Sequence, residues 1–227
     1  MAKLRYLGHS AFYLEGDSIK ALIDPFFAGA ASAAKAEDFT ELDYIFVTHG
    51  HGDHVGSTVE IAKRTHAAVF APTELAAHFA SQGLKTEGMQ IGGRASFPFG
   101  RVKLTAAFHG SPILVNGENR YAGLACGYVI EVEGKKIYHA GDTGLTVEMS
   151  LLEEENIVIA CLPIGGYYTM DSEDAVRALG MIKPDIAIPM HYNTFPAIKA
   201  DPEKFASLAE TERSTVKVLA PGEEIEF

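Results

Sequence analysis

The segment THGHGDHVG, residues 48 to 56, constrains this chain most, because three histidines and an aspartate stand within six positions. It follows the apolar run LDYIFV, which predicts a strand, so the cluster leaves the carboxyl end of that strand. Gly50 and Gly52 make a stable helix unfavourable and allow tight turns, so we expect a loop. Imidazole nitrogens and carboxylate oxygens are the usual ligands of zinc and related divalent ions. A solvated loop without a ligand is the alternative, but four such side chains in one short stretch favour a metal site.

Three more residues of metal-binding type occur far along the chain, each after an apolar run that predicts a strand. His109 follows VKLTAAF, Asp142 follows KKIYHAG, and His191 follows DIAIPM. Side chains at the carboxyl ends of separate strands can point into one crevice. An aspartate before Thr-Gly is also ordinary turn chemistry, but the repetition of the pattern favours one shared site. The sequence therefore predicts that these three residues complete the ligand set of the cluster.

The order of predicted elements indicates a sandwich of two sheets with helices packed outside, in one domain spanning residues 1–227. Strand runs followed by helix–strand alternation occur in both halves of the chain, which is typical of such a layered fold. Three of the predicted helices are residues 73–83 with Thr73 as the cap, residues 147–156, and residues 172–183 with Asp171 or Ser172 as the cap.

Composition excludes some classes of protein. The 19 basic and 30 acidic residues give a net charge of −11, so we expect no nucleic-acid partner, which would need a basic surface. Cys126 and Cys161 lie in apolar runs, and we expect buried, reduced thiols, as in a reducing cytosol. The run 157–164 is far shorter than the ~20 residues that cross a bilayer, and residues 1–16 lack the apolar core of a secretory signal. We therefore expect a cytoplasmic protein without a membrane segment.

The cluster resembles the HxHxDH signature of the metallo-β-lactamase superfamily, and the order cluster, His109, Asp142, His191 is similar to its remaining motifs. Within that superfamily the chain resembles small metal-dependent hydrolases related to L-ascorbate-6-phosphate lactonase. The segments that carry this closer similarity span almost the whole chain and are YLGHSAF, LIDPF, VTHGHGDHVG, YHAGDTG and PMHY. The resemblance implies a four-layer αββα sandwich of the α+β class, with two mixed sheets and a two-metal site at one edge of them.

The resemblance also implies a ligand assignment for two divalent ions. The first ion would be held by His49, His51 and His109, the second by Asp53, His54 and His191, with Asp142 bridging both. Zinc is the first expectation for this thiolate-free set and manganese the second, while iron and nickel are also compatible. Two such ions lower the pKa of a bridging water toward neutrality and so supply a hydroxide nucleophile. Asp53 is the expected catalytic residue, because its carboxylate can orient that hydroxide.

Other residues are candidates for supporting the centre or contacting substrate. His9, in LGHSAF, either reaches the active site or is a structural histidine bonded to backbone. Asp24, in LIDPF, either fixes a loop, which we favour, or lies behind a ligand such as His51. His139 is expected to support the ligands or the core rather than bind metal itself.

A second group of candidates lies on loops. Residues 110–123 form a long connection with glycine at both ends, which we interpret as a mobile flap. Arg120 is its only cation, and it either anchors an anionic substrate or is merely exposed. Tyr167, Tyr168 and Tyr192 follow strand ends and are expected to form an apolar wall or to donate a proton.

The sequence thus favours a hydrolase of a small ester, lactone or phosphodiester substrate. One alternative is a di-iron redox protein on the same fold, but such proteins usually carry glutamate at the position of His51 and add a flavin domain. The other is a non-catalytic metal-binding protein, which the complete ligand set disfavours, because unused buried ligands are costly. By analogy with small relatives we expect self-association.

Overall fold

Two seven-stranded sheets organise the computed structural model, which describes residues 1–27 and 32–227. The strands of the first sheet are β1 (Lys3–Gly8), β2 (Ala11–Gly16), β3 (Ile19–Ile23), β4 (Tyr44–Phe46), β5 (Ala68–Pro72), β6 (Thr86–Met89) and β16 (Glu224–Glu226). The strands of the second are β7 (Arg94–Phe97), β8 (Gly100–Ala106), β11 (Cys126–Val132), β12 (Lys135–His139), β13 (Ile157–Pro163), β14 (Ile186–Met190) and β15 (Thr215–Val216).

Both sheets are mixed in the same way. The first has the order β16-β1-β2-β3-β4-β5-β6, in which pairing is antiparallel up to β3 and parallel beyond it. The second has the order β15-β14-β13-β12-β11-β8-β7, parallel from β15 to β12 and antiparallel from there to β7. The metal-binding residue types lie on loops at the carboxyl ends of four strands. These strands are β4, β12 and β14, which form parallel pairs, and β8, whose pairs are antiparallel.

The helices cover the outer faces of the sheets. They are α1 (Gly52–Val55), α2 (Thr58–Thr65), α3 (Thr73–Ser81), α4 (Ser172–Ile182) and α5 (Pro202–Leu208). One buried cluster joins the outer face of the first sheet to α2 and α3, for example through Leu22, Ile61 and Phe79. The larger cluster fills the space between the sheets and continues under α4, for example through Phe46 and Leu179. Burying these apolar faces is the main force that holds the layers together, and the predicted four-layer α+β sandwich is confirmed.

Four local predictions differ from the structure. Pro72, not Thr73, stands at the cap position of α3, and no side chain caps that end. Residues 147–155 form a 3₁₀ helix, a tighter winding than the α-helix expected there. Gly52–Val55 winds as one helical turn although a loop was predicted, because the turn is held by the backbone bond from Val55 N–H to the carbonyl of His51. Residues 110–123, predicted as a loop connection, contain a hairpin of β9 (Pro112–Val115) and β10 (Glu118–Tyr121), and the mobility of this segment stays a prediction.

Other local predictions are confirmed. The Asp171 carboxylate accepts a 2.9 Å hydrogen bond from the backbone N–H of Asp174 and so caps α4. Cys126 and Cys161 are buried and free of disulfides, and burial raises the pKa of both thiols. Within residues 1–27 and 32–227, every helix is too short or too polar to cross a lipid bilayer.

Candidate metal centre

The histidine-rich segment leaves the first sheet just beyond β4 and packs closely against two other segments of the same chain. A Cβ on Gly50 would lie 2.8 Å from the carbonyl oxygen of Pro112, so only glycine allows that approach. At Gly56 the backbone φ is +42°, and a Cβ there would lie 2.2 Å from the carbonyl oxygen of Pro25. The two glycines therefore fix both ends of the segment that carries His49 to His54.

The three distant residues reach the same place from the second sheet. His109 and Asp142 lie three residues beyond the ends of β8 and β12, and His191 directly follows β14. His191 has a left-handed backbone, with φ of 55°, and its N–H donates a 2.8 Å hydrogen bond to the carbonyl of His9. That conformation is unusual for a non-glycine residue, and it aims the imidazole at the centre.

The ring nitrogens of His49, His51 and His109 form one group of ligand atoms, all within 4.8 Å of one another. Nε2 of His49 lies 2.9 Å from Nδ1 of His51, and Nε2 of His109 lies 3.3 Å from the same atom. A second group within the same limit consists of His9, Asp53, His54 and His191. The structure therefore brings together all six side chains that the resemblance assigned to two separate ions, and adds His9.

The carboxylate of Asp142 lies between the two groups. Its Oδ1 is 3.2 Å from Nε2 of His54, and its Oδ2 is 3.1 Å from Nε2 of His191. The same Oδ2 is 3.5 Å from Nε2 of His109, in the first group. One carboxylate therefore contacts ligand atoms of both groups, as a bridging ligand must.

The polar atoms at this point fit a cation. Nε2 of His54, Oδ1 of Asp142 and both ring nitrogens of His191 are buried and make no hydrogen bond to the residues that the structure describes. A buried polar atom without a partner costs about 1–3 kcal/mol, and a divalent ion would satisfy several at once. The donor set, imidazole and carboxylate without thiolate, suits zinc and other first-row divalent ions.

Protonation is also consistent with metal binding. Burial lowers the pKa of His49 well below its usual value, and it lowers the pKa of His51 and His109 as well. Burial alone would raise the pKa of Asp142, but the imidazoles of His54 and His191 lower it well below the usual range. Burial would also lower the pKa of His54 and His191, but the carboxylate of Asp142 outweighs it and raises the pKa of both. Neutral imidazoles and an ionised carboxylate are the forms that bind metals, so a divalent ion would displace a proton from these two histidines.

A buried network holds His54 and His49 from behind. Oδ2 of Asp24 accepts hydrogen bonds from Nδ1 of His54 at 2.7 Å and from the Thr48 hydroxyl at 2.7 Å, while Oδ1 accepts from the Thr48 N–H at 2.8 Å. Because the Thr48 hydroxyl donates to Asp24, it accepts from Nδ1 of His49, 3.0 Å away. Both imidazoles thus carry their proton on Nδ1 and present Nε2 to the centre. Asp24 therefore lies behind His54, a candidate ligand, rather than behind His51.

His9 and His139 take different roles. Nε2 of His9 is 3.3 Å from Oδ2 of Asp53, and because a carboxylate only accepts, the imidazole donates this hydrogen bond. Nδ1 of His9 then accepts from the Thr194 hydroxyl at 2.9 Å. His139 is fully buried, donates from Nε2 to the carbonyl of Ser10 at 3.0 Å and accepts from the N–H of Gly141 at 3.2 Å. It therefore shapes the turn before Asp142.

A cleft of about 700 Å³ opens onto the centre. Its polar wall is lined by His51, Asp53, His109, Asp142 and His191. Its apolar wall is lined by Phe26, Tyr168, Phe195, Pro196 and Ala197. Sequence reasoning missed four of the five apolar residues, although Phe26 directly follows the LIDP motif and Phe195 lies four residues after His191.

Three other candidates lie outside the cleft. Arg120 is on β10 with 60% of its side chain exposed, and its guanidinium is 3.8 Å from Glu118. It does not line the cleft, which favours the second of the two alternatives, a merely exposed arginine. Tyr167 is 82% exposed and contacts the ring of Tyr168. Tyr192 is half-buried against the larger core cluster, so it faces away from the cleft wall.

Several sequence relatives of this chain are described as metal-dependent hydrolases. The family model described as beta-lactamase superfamily domain matches residues 20–192. A UPF0173 metal-dependent hydrolase of Alkaliphilus metalliredigens is 49% identical over 217 residues, which cover 96% of either chain. One of Carboxydothermus hydrogenoformans is 47% identical over 222 residues, which cover 97% of this chain and 98% of its own.

A solved structure is similar over its full length. Igni18, a metallo hydrolase from the archaeon Ignicoccus hospitalis, has a TM-score of 0.91 and 39% identity, and the match covers 100% of this chain and 99% of that one. The narrower relation to L-ascorbate-6-phosphate lactonase stays a prediction. The sequence similarity and the fold together show that this chain belongs to the metallo-β-lactamase superfamily, as a metal-dependent hydrolase of the UPF0173 family.

Proposed function

We propose that the protein is a dinuclear hydrolase that acts on a small molecule with an ester, lactone or phosphodiester bond. The observation that carries this proposal is the position of Asp142, whose two oxygens contact His54 in one ligand group and His109 in the other. The proposed ligands are those expected from the resemblance: His49, His51 and His109 for the first ion, Asp53, His54 and His191 for the second, and Asp142 for both.

Two divalent ions, when bound, supply a water of lowered pKa and polarise the oxygen of the bond to be cleaved. The residues of the chain set the geometry in which this happens. Asp24 and Thr48 fix the tautomers of His54 and His49, so that both present Nε2. Asp53 has a side chain 27% exposed and lines the cleft, where its carboxylate can accept a hydrogen bond from the attacking hydroxide and orient it.

We propose zinc as the resident ion and manganese as the second choice, with iron and nickel also compatible with the donor set. The free, buried thiols of Cys126 and Cys161 support a reducing compartment such as the cytosol. The first ligand group contains His51, where redox proteins of this fold were expected to carry glutamate, and this supports hydrolysis over the redox alternative.

Metal analysis of the purified protein tests the proposal. Elemental analysis should give close to two divalent ions per chain, and Asp142→Asn should lose most of that metal. Asp185→Asn, a change at a carboxylate 62% exposed on the surface, is the matched control and should keep both ions. One ion per chain in the unaltered protein, or full metal content in Asp142→Asn, would contradict the dinuclear assignment.

A substrate panel then tests the reaction class. Lactones, phosphodiesters, thioesters, simple esters and β-lactams, each assayed with zinc and with manganese, should show metal-dependent turnover of at least one ester-like class. Absence of turnover across the panel, with two ions bound, would overturn the proposed function.

A further inference from the structure

No lysine or arginine is among the described residues that line the cleft. Its polar wall is formed by proposed metal ligands, and its opposite wall is formed by Phe26, Tyr168 and the segment 195–197. The only cation predicted to serve it, Arg120, lies on β10 and is directed to Glu118. Among the described lining residues, therefore, no lysine or arginine is available to pair with an anionic group of a substrate.

Two aromatic rings of the apolar wall are held at fixed positions. The centroids of Phe26 and Phe195 are 6.2 Å apart, with an angle of 37° between their planes. Both rings pack against His9, at centroid distances of 5.4 Å and 5.5 Å. His9 in turn is held by its hydrogen bonds to Asp53 and Thr194. The spacing between the aromatic wall and the proposed ligand Asp53 is thus set by one imidazole.

We propose that this wall is the binding site for an uncharged, apolar group of the substrate, such as an aromatic or branched aliphatic acyl group. The inference rests on the proposed function, since it places the bond to be cleaved at the ligand groups and the apolar group against Phe26 and Phe195. It replaces the anionic substrate that the sequence suggested.

The balance of solvation supports this choice. Phe195 is 39% and Tyr168 55% exposed, so their faces are open to a ligand. Covering apolar surface is favourable, at about 25 cal/mol per Å². A carboxylate or phosphate placed against the apolar wall would lose its hydration without gaining a counter-ion from that wall. The wall therefore selects against charge as well as for apolar surface.

The competing interpretation is that Phe26 and Phe195 only pack around His9 and contact no substrate. It predicts that removing either ring lowers the affinity for every metal-binding small molecule by the same factor. A binding site for an apolar group predicts instead that the loss depends on the group the ligand carries. The ratio of two affinities therefore separates the two interpretations, and it does not require knowledge of the natural substrate.

Binding of three hydroxamates to the zinc-loaded protein, measured by calorimetry, provides this ratio. Phenylacetohydroxamate should bind at least tenfold more tightly than acetohydroxamate, and the negatively charged succinic monohydroxamate should bind no more tightly than acetohydroxamate. Phe195→Ala and Phe26→Ala should each reduce the phenyl-to-methyl ratio to about threefold or less. Tyr121→Ala removes an exposed aromatic ring on β10, outside the cleft, and should leave the ratio unchanged.

Phe195→Leu is the control for misfolding of the alanine variant. It keeps an apolar side chain at this position and should retain most of the preference for the phenyl ligand. Phe195→Lys should reverse the order in favour of the succinyl ligand. Equal affinities for the phenyl and methyl ligands, or tighter binding of the succinyl ligand to the unaltered protein, would overturn the inference. So would a ratio that is unchanged in both alanine variants.

Turnover separates this inference from the proposed function. With 4-nitrophenyl acetate, phenylacetate and hemisuccinate as probes, kcat/KM should be highest for phenylacetate and lowest for hemisuccinate. Failure to hydrolyse any of the three esters or any member of the substrate panel, together with the hydroxamate preference, would reject the proposed hydrolysis and support the apolar site. Hydrolysis of all three esters at equal rates would support the reaction and reject the apolar site.

Discussion

Nδ1 of His54 donates a 2.7 Å hydrogen bond to Oδ2 of Asp24, and neither side chain is exposed to solvent. The bond fixes the proton on Nδ1, so Nε2 is left as a lone-pair donor facing Asp142. Carboxylates that orient ligating histidines in this way typically change metal affinity 10- to 100-fold when they are mutated.

Asp24→Asn should therefore lower the binding affinity for one of the two ions by about 10- to 100-fold, while the affinity for the other ion stays unchanged. Asparagine tolerates the left-handed backbone at this position, where φ is 44°, so the effect reports the lost carboxylate. Competition with a chromophoric chelator measures both affinities, with Asp185→Asn as the control. Equal weakening of both ions would point to general unfolding instead.

His9 positions Asp53, so its loss should lower kcat more than metal content. His9→Asn keeps a residue compatible with the φ of 55° but cannot span the distance to Asp53. We expect kcat for the best panel substrate to fall about tenfold or more, with two ions retained by elemental analysis. Thr194→Val removes the hydrogen bond to Nδ1 of His9, together with a long 3.4 Å contact to the carbonyl of Tyr192, and should give a smaller loss in the same direction. Unchanged kcat in both variants would show that His9 has no part in the reaction.

Two glycines of the same segment should differ sharply when each is replaced by alanine. Gly56→Ala forces a Cβ to within 2.2 Å of the carbonyl oxygen of Pro25 at a φ of +42°, and should lower the unfolding free energy by about 2 kcal/mol or more. Gly52→Ala meets no atom within 4 Å and lies in the first turn of α1, so its stability should change by less than about 1 kcal/mol. Denaturant unfolding of the metal-free protein measures both, and equal values would contradict the predicted contact.

Glu155 should contribute to stability in a pH-dependent way. Burial tends to raise its pKa, but hydrogen bonds from Lys103 and Lys136 outweigh burial and lower the pKa from 4.5 to about 2. Its carboxylate also pairs with Arg94. A lowered folded-state pKa means that the stabilisation is present above pH 4.5 and is lost as the pH falls from there toward about 2.

Glu155→Gln should accordingly cost about 1–2 kcal/mol at pH 7, a value reduced for solvent screening because the cations are partly exposed. The cost should shrink below pH 4.5, so the stability of the variant should vary less with pH than that of the unaltered protein. Glu153→Gln, in the same 3₁₀ helix but 51% exposed, is the control and should change stability by less than about 0.5 kcal/mol. Equal effects of the two changes would contradict the assignment.

The strand ends could be predicted from sequence because each combines two local signals. An apolar run followed by one isolated polar residue of metal-binding type marks His109, Asp142 and His191, and the structure places all three at the centre. The two-layer order of the sheets could be predicted too, because strand and helix patterns alternate in both halves. These features depend on short stretches of chain.

The apolar wall could not be predicted, since it depends on contacts between distant segments. Phe26 and Phe195 are 169 positions apart in the sequence, and only the fold brings both rings onto His9. The same limit applies to Arg120. A lone cation in a long loop suggests an anchor, but the hairpin register pairs Arg120 with Ile113 and turns its side chain to solvent. Local sequence carries no information on that register.

The proposed ligands are divided between the two sheets, four of them after β4 in the first and three after β8, β12 and β14 in the second. A cation bound by both sets joins the two halves of the sandwich, and it binds only the folded arrangement. At a thousandfold excess over its dissociation constant, such an ion adds about 4 kcal/mol to stability. In a cell short of divalent metal, the activity of this enzyme would then fall for two reasons. The active sites would lack their ions, and the less stable chain would be degraded faster by proteases.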